Sequence, residues 1–155
     1  MQSLLMVCLG NICRSPLAQG ILHHKLNKLN IDNITVDSAG TGNWHIGSNP
    51  DKRSIEIAKK HEIDISNQKA RQFSYEDFEK FDQIFVMDTS NLQNIRSQAK
   101  SKKDVEKIKL ILDYSYPDKN ESVPDPYFGG IDGFEHVYNL LNNACDKIIE
   151  NLIKK

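Results

Sequence analysis

The chain has 155 residues and a formal net charge of −1, with 39% hydrophobic and 26% charged residues. That is one globular domain of ordinary soluble composition, and disordered and fibrous classes are excluded. Near-neutral charge argues against a nucleic-acid partner. The longest apolar run is six residues and no basic segment precedes it, so neither a membrane partner nor a signal peptide is expected.

That run, residues 4–9, reads as a buried strand, because it is short and ends at Gly10-Asn11. A helix is expected to open at Ser15-Pro16, with serine as N-cap and proline at the next position. Leu17, Ala18, Ile21, Leu22, Leu26 and Leu29 follow on one helical face. Residues 34–38 form a second strand, and 39–50 form a loop with Gly40, Gly42 and Gly47. Ile55, Ala58 and Lys59 mark a helix ending near His61, and residues 74–81 a short helical segment. Residues 84–87 make a third strand, 91–99 a helix and 108–112 a fourth strand. Segment 96–109 is a basic helix end, and 113–135 an acidic loop. The last helix carries an apolar stripe of Phe134, Val137, Leu141, Ala144, Cys145, Ile148 and Leu152. The fold expected is α/β: a single domain, residues 1–155, with a four-stranded parallel sheet and helices on both faces.

Cys8-Leu9-Gly10-Asn11-Ile12-Cys13-Arg14-Ser15 lies between the first strand and the first helix, where open α/β sheets bind ligands. A turn leading into a helix aims backbone N–H groups at one point and adds the helix dipole, which suits a tetrahedral oxyanion. Cys8 at its base is placed to react as thiolate. Arg14 comes back alongside as a planar fork for two phosphate oxygens. A thiolate beneath a bound phosphate is set for in-line attack on phosphorus. A bare Cys-x5-Arg is a modest signal, since a cysteine closing a strand is often only a small hydrophobe. Its place at a strand-to-helix junction strengthens it. The stretch lacks the Gly-Lys-Ser/Thr ending of a nucleotide-binding loop and has no Gly-x-Gly-x-x-Gly. Pro124-Asp125-Pro126-Tyr127 presents Asp125 from a stiffened loop, a candidate general acid for the leaving oxygen.

With V-C-L-G-N-I-C-R-S-P near the N-terminus, D-S-A-G-T in the middle and D-P-Y-F-G-G towards the C-terminus, the chain resembles the low-molecular-weight protein tyrosine phosphatases over nearly its whole length. The resemblance implies Cys8 as nucleophile and Asp125 as acid and then base. Residues Leu9, Gly10, Asn11, Ile12, Cys13 and Arg14 would form the phosphate-binding loop. Ser15 would hydrogen-bond the thiolate, Ser38 would brace Asn11, and Asp88 would support the site from outside. Trp44 and Tyr127 match the aromatic walls of a phosphotyrosine pocket. Cys13 matches the family's second loop cysteine, which could form a disulfide with Cys8 under oxidant. Two positions depart from the pattern: Gln68 stands where many relatives have histidine, and Phe128 where a second tyrosine is common.

The implied partners are phosphotyrosine-containing proteins, with inorganic phosphate as product and competitive ligand. No cofactor or metal is expected, because His23, His24, His45, His61 and His136 form no ligand-like constellation. Three cysteines without an export signal point to a reducing cytoplasm. Three alternatives remain. Arsenate reductases need a downstream cysteine pair where only Cys145 is present. Protein-arginine phosphatases typically have threonine at the position of Ile12. A non-catalytic phosphopeptide-binding module would be expected to have lost Cys8, Arg14 or Asp125.

Overall fold

The computed structural model describes residues 2–127 and 129–154. Four strands, β1 (Gln2–Cys8), β2 (Ile34–Gly40), β3 (Gln83–Val86) and β4 (Ile108–Leu110), form one parallel sheet in the order β2-β1-β3-β4. Six α-helices connect and flank them: α1 (Arg14–Lys28), α2 (Lys52–Lys60), α3 (Glu76–Lys80), α4 (Thr89–Gln98), α5 (Lys102–Glu106) and α6 (Ile131–Ile153). The expected α/β architecture, with helices on both faces of a four-stranded parallel sheet, is the one observed.

The alternation of side chains along β1 divides the core. Leu4, Met6 and Cys8 face a cluster with Leu17, Ile21 and Leu22 of α1, Ile57 and Ala58 of α2, and Phe134, Leu141 and Ile148 of α6. Leu5 and Val7 face the opposite cluster with Phe78 of α3 and Ile95 of α4. Buried on both sides, β1 is a continuous apolar run rather than an alternating one. Its chain continues to β2 on one side, while β3 lies on the other, so the order reverses beside β1. The crevice at the carboxyl ends of β1 and β3 is therefore the expected ligand position.

Several boundaries differ from the sequence reading. The strand closes at Cys8, and Leu9 is 41% exposed beyond it. Helix α1 begins at Arg14 with Cys13 as its N-cap, so Ser15 does not cap it. Leu29 lies at the C-cap, 56% exposed, because the helix has ended before the apolar face reaches it. The fourth strand stops at Leu110, and Ile111–Asp113 turns into a 3-10 helix that still buries Ile111 and Leu112. The basic segment contains α5, capped by Ser101, whose hydroxyl accepts the Asp104 N–H. No helix among the described residues is long and apolar enough to cross a membrane.

Candidate active site

The turn from β1 into α1 is shaped by Asn11, which has a φ of 58°, a left-handed conformation that asparagine tolerates better than most residues. Its buried side chain is held from three directions. Nδ2 donates to Ser15 Oγ at 2.8 Å and to Ser38 Oγ at 3.0 Å, and Oδ1 accepts the Arg71 N–H at 3.0 Å. Ser38 donates in turn to Gln19 Oε1 at 2.6 Å. The serine–asparagine brace expected at Ser38 is present, and Gln19 and Arg71, unmarked in the sequence, complete it.

Ser15 Oγ lies 3.0 Å from Cys8 Sγ and 3.4 Å from the Ala39 carbonyl. Because this oxygen already accepts from Asn11, its own proton is available, and the shorter contact is the one to sulfur. The hydroxyl that local rules assign to helix capping thus faces the candidate nucleophile. Helix α1 has no side-chain cap bond and no acidic residue in its first turn. By contrast, Asp51, Asp88 and Ser101 cap α2, α4 and α5. The first-turn amides of α1 and its positive dipole end are left for an external anion.

Arg14 is 2% exposed. Nη1 donates to Asp88 Oδ2 at 2.7 Å and to the Val123 carbonyl at 2.9 Å, and Nη2 lies 3.7 Å from Asp125 Oδ2. Burial works against its charge, but the interaction with Cys8, the hydrogen bond to Asp88 and the nearby carboxylates outweigh it and hold the guanidinium above its ordinary range. Asp88 divides its oxygens, Oδ2 taking Arg14 and Oδ1 the Asn91 N–H at the start of α4. Asp125 accepts the Tyr127 N–H at 3.1 Å, and its side chain is 41% exposed.

These groups lie beside a cleft of about 280 Å³ lined by Leu9, Gly10, Ile12, Cys13, Trp44, His45, Asp125 and Tyr127. Both Trp44 and Tyr127 line it, Trp44 largely exposed. His45, whose ring is 6.4 Å from that of Tyr127, was not anticipated there.

Residues 3–155 match the family model described as low molecular weight phosphotyrosine protein phosphatase. The chain belongs to this family. It is 44% identical over 150 residues to the low molecular weight phosphotyrosine protein phosphatase of Schizosaccharomyces pombe, covering 96% of this chain and 95% of that one. Among solved structures, it is similar to a protein tyrosine phosphatase from Entamoeba histolytica (TM-score 0.93, 34% identity, 99% and 98% covered). It is also similar to the Drosophila arginine phosphatase (TM-score 0.90, 35% identity, 98% of each chain covered).

Within this phosphatase frame, Gln68 donates to the Pro16 carbonyl at 3.1 Å, at the first turn of α1, while the Arg71 N–H is the donor to Asn11. Phe128 lies outside the described residues. The three cysteines are free and buried. Burial, then Asp51 and Cys8, push the Cys13 thiol far up. Cys145, in the α6 core, is pushed up to about 12 by burial. The described residues contain no cluster of His, Cys, Asp and Glu suited to a metal ion.

Sequence reasoning also missed the start of α2. Asp51 donates its N–H to the Ile12 carbonyl at 2.8 Å and Ser54 Oγ donates to the Cys13 carbonyl at 2.8 Å, tying the loop's far side to that helix. An Asn-Pro-Asp run before a helical pattern is a capping signal, but nothing local says what the cap is docked against.

Proposed function

We propose that this chain hydrolyses protein phosphotyrosine, and small aryl phosphates, through a phosphocysteine intermediate on Cys8. The substrate phosphate sits on the amides of residues 9–14 with Arg14 across two of its oxygens. Cys8 sulfur attacks phosphorus as the bond to the tyrosyl oxygen breaks, and Asp125 gives its proton to that oxygen. Asp125 then takes a proton from water as water attacks phosphorus. The sulfur–phosphorus bond breaks, Cys8 leaves as thiolate with the Ser15 hydroxyl donating to it, and inorganic phosphate departs. Trp44 and Tyr127 flank the substrate ring.

The observation that carries this reading is the convergence at one strand end of Cys8, 3.0 Å from Ser15, and of a buried Arg14 within 3.7 Å of Asp125. General acid catalysis is typically worth ~10²–10⁴ in rate, which sets the loss expected for Asp125→Asn on a phosphotyrosine peptide. Cys13 is assigned as the thiol that captures oxidised Cys8 as a disulfide. The free cysteines fit a reducing cytoplasm.

Likeness to the Drosophila arginine phosphatase makes phosphoarginine the second substrate to test. Ile12, in the cleft wall, favours an aromatic ring over a guanidinium. The deciding experiment is kcat/KM for a phosphotyrosine and a phosphoarginine peptide, with Cys8→Ser as control. Preference for phosphotyrosine, abolished in Cys8→Ser, supports the reading. Preference for phosphoarginine keeps the cysteine chemistry and replaces the substrate. Full activity in Cys8→Ser overturns the mechanism.

A further inference from the structure

Asp125 stands on a stretch without regular secondary structure, yet it must sit over one phosphorus–oxygen bond. Upstream, the stretch is pinned just past β3 by the Val123 N–H, which donates to the Met87 carbonyl at 2.7 Å, and to α1 by the Val123 carbonyl, which accepts from Arg14. Downstream, the carbonyls of Tyr127 and Gly129 are both taken by Arg53, through Nη2 at 2.8 Å and Nη1 at 3.0 Å. The same guanidinium lies 4.6 Å from the Phe134 ring and 5.6 Å from the Tyr127 ring.

Arg53 is itself fixed at the other end. Nε and Nη2 donate to the two oxygens of Asp51 at 3.0 Å each, and Asp51 Oδ1 also accepts the Arg53 N–H at 2.9 Å. Asp51 and Ser54 hold the Ile12 and Cys13 carbonyls of the phosphate-binding loop. One helix start is therefore bonded on one side to the loop bearing the nucleophile and on the other, through a single guanidinium, to the loop bearing the acid.

We infer that Arg53 is a positioning residue for Asp125: its fork onto the Tyr127 and Gly129 carbonyls fixes the height of the acid above Cys8. This rests on the reading of Asp125 as the general acid. A planar five-donor fork can serve a carboxylate and two carbonyls at once, which a lysine ammonium on its flexible stem cannot reproduce.

The test is a double-mutant cycle of Arg53→Ala with Asp125→Asn, read as kcat/KM on a phosphotyrosine peptide and on a nitrophenyl phosphate, whose phenol leaves with less need of a proton. A misplacement near 1 Å can cost ~10²-fold, so Arg53→Ala is expected to lower kcat/KM on phosphotyrosine by ~10- to 100-fold. The loss should be smaller on the nitrophenyl ester. In the Asp125→Asn background, Arg53→Ala should change kcat/KM less than about twofold, because the group it positions is gone. Arg53→Lys should fall between wild type and Arg53→Ala.

Equal losses in both backgrounds, equal losses on both substrates, or a matching loss of affinity for inorganic phosphate would place Arg53's effect on the pocket or the phosphate-binding loop and overturn the inference. No loss in Arg53→Ala also overturns it. If Asp125→Asn alone leaves kcat/KM unchanged, the acid assignment fails first, a result distinct from failure of Arg53. Should Arg53→Ala not fold, Arg53→Gln and Arg53→Lys carry the same cycle.

Discussion

Gly40, the last residue of β2, offers a test of how closely the phosphate-binding loop is held. A β-carbon there would meet the Leu9 carbonyl oxygen at 2.8 Å, the Asn11 nitrogen at 3.0 Å and the Gly10 carbonyl carbon at 3.1 Å. All three are backbone atoms of the loop, so no side chain can rotate away. Ordinary carbon–oxygen approaches are about 3.3–3.6 Å, so Gly40→Ala must displace the loop or the strand end by roughly half an ångström. The strand end is held, since Gly40 N–H donates to the Arg71 carbonyl and its own carbonyl accepts the Phe73 N–H at 2.7 Å. The loop is then what gives. At ~10²-fold per ångström of misplacement, kcat/KM on a phosphotyrosine peptide should fall ~10-fold or more. The inhibition constant of inorganic phosphate should rise with it. Overpacking costs about 1–3 kcal/mol, offset by up to about 1 kcal/mol for lost unfolded-chain freedom. The net cost is up to about 3 kcal/mol, and at about 2–4 °C per kcal/mol in a domain of this size Tm should drop by up to ~12 °C. Gly20→Ala is the control. Its β-carbon would meet the Ile65 and Ile63 side chains, at 2.4 and 3.2 Å, rather than the backbone of the loop. It should lower Tm while leaving kcat/KM within about twofold. If Gly40→Ala kept both kcat/KM and phosphate inhibition within twofold of wild type, the claim that this close approach sets the loop's shape would be refuted.

Other substitutions separate roles that single residues combine. Asp88→Ala removes both the partner of Arg14 and the cap of α4, whereas Asp88→Asn keeps a competent cap. Loss of an N-cap costs about 1 kcal/mol, so thermal unfolding should show Asp88→Ala the less stable by about that amount, with both variants losing phosphate affinity. Equal stability of the two would deny Asp88 its capping role. Asp51 is held below the ordinary carboxylate range chiefly by its hydrogen bonds to Arg53. The unfolded chain therefore takes up a proton first as pH falls below about 4, and stability is lost through that window down to the folded-state value. Asp51→Asn, which keeps the cap, should show a shallower loss of Tm between neutral pH and pH 3; an unchanged acid limb would contradict the pairing. For Cys13, activity lost to peroxide should return with dithiol in the wild type and much less in Cys13→Ser, and equal recovery would remove it from that role.

What was legible in the sequence is what short stretches encode. Strand β1 reads as apolar because both its faces are covered, and α6 reads as a stripe because one face is. Cys8, Arg14 and Ser15 fall within eight residues, and Asp125 is flagged by flanking prolines. The contacts that stayed hidden cross long stretches of chain and use common residue types. Arg53 reaches the carbonyl of Gly129, the Arg71 N–H reaches Asn11, and Gln19 reaches Ser38. The misreading of Ser15 has a different cause. A serine before a proline at a helix start is a sound capping signal, but a capping serine would satisfy first-turn N–H groups that an anion could use. In α1 the helix begins two residues earlier, its first turn carries no side-chain cap and no carboxylate, and the serine turns to Cys8 instead. Helices α2, α4 and α5 are capped by their own side chains, and α3 and α6, which like α1 have no side-chain cap bond, carry carboxylates in their first turns. The departure from the local rule occurs where a phosphate would do the capping, so the stability forgone at the start of α1 is recovered when the anion binds. Inorganic phosphate should accordingly raise Tm in the wild type, through its preferential binding to the folded state, and much less in Arg14→Ala.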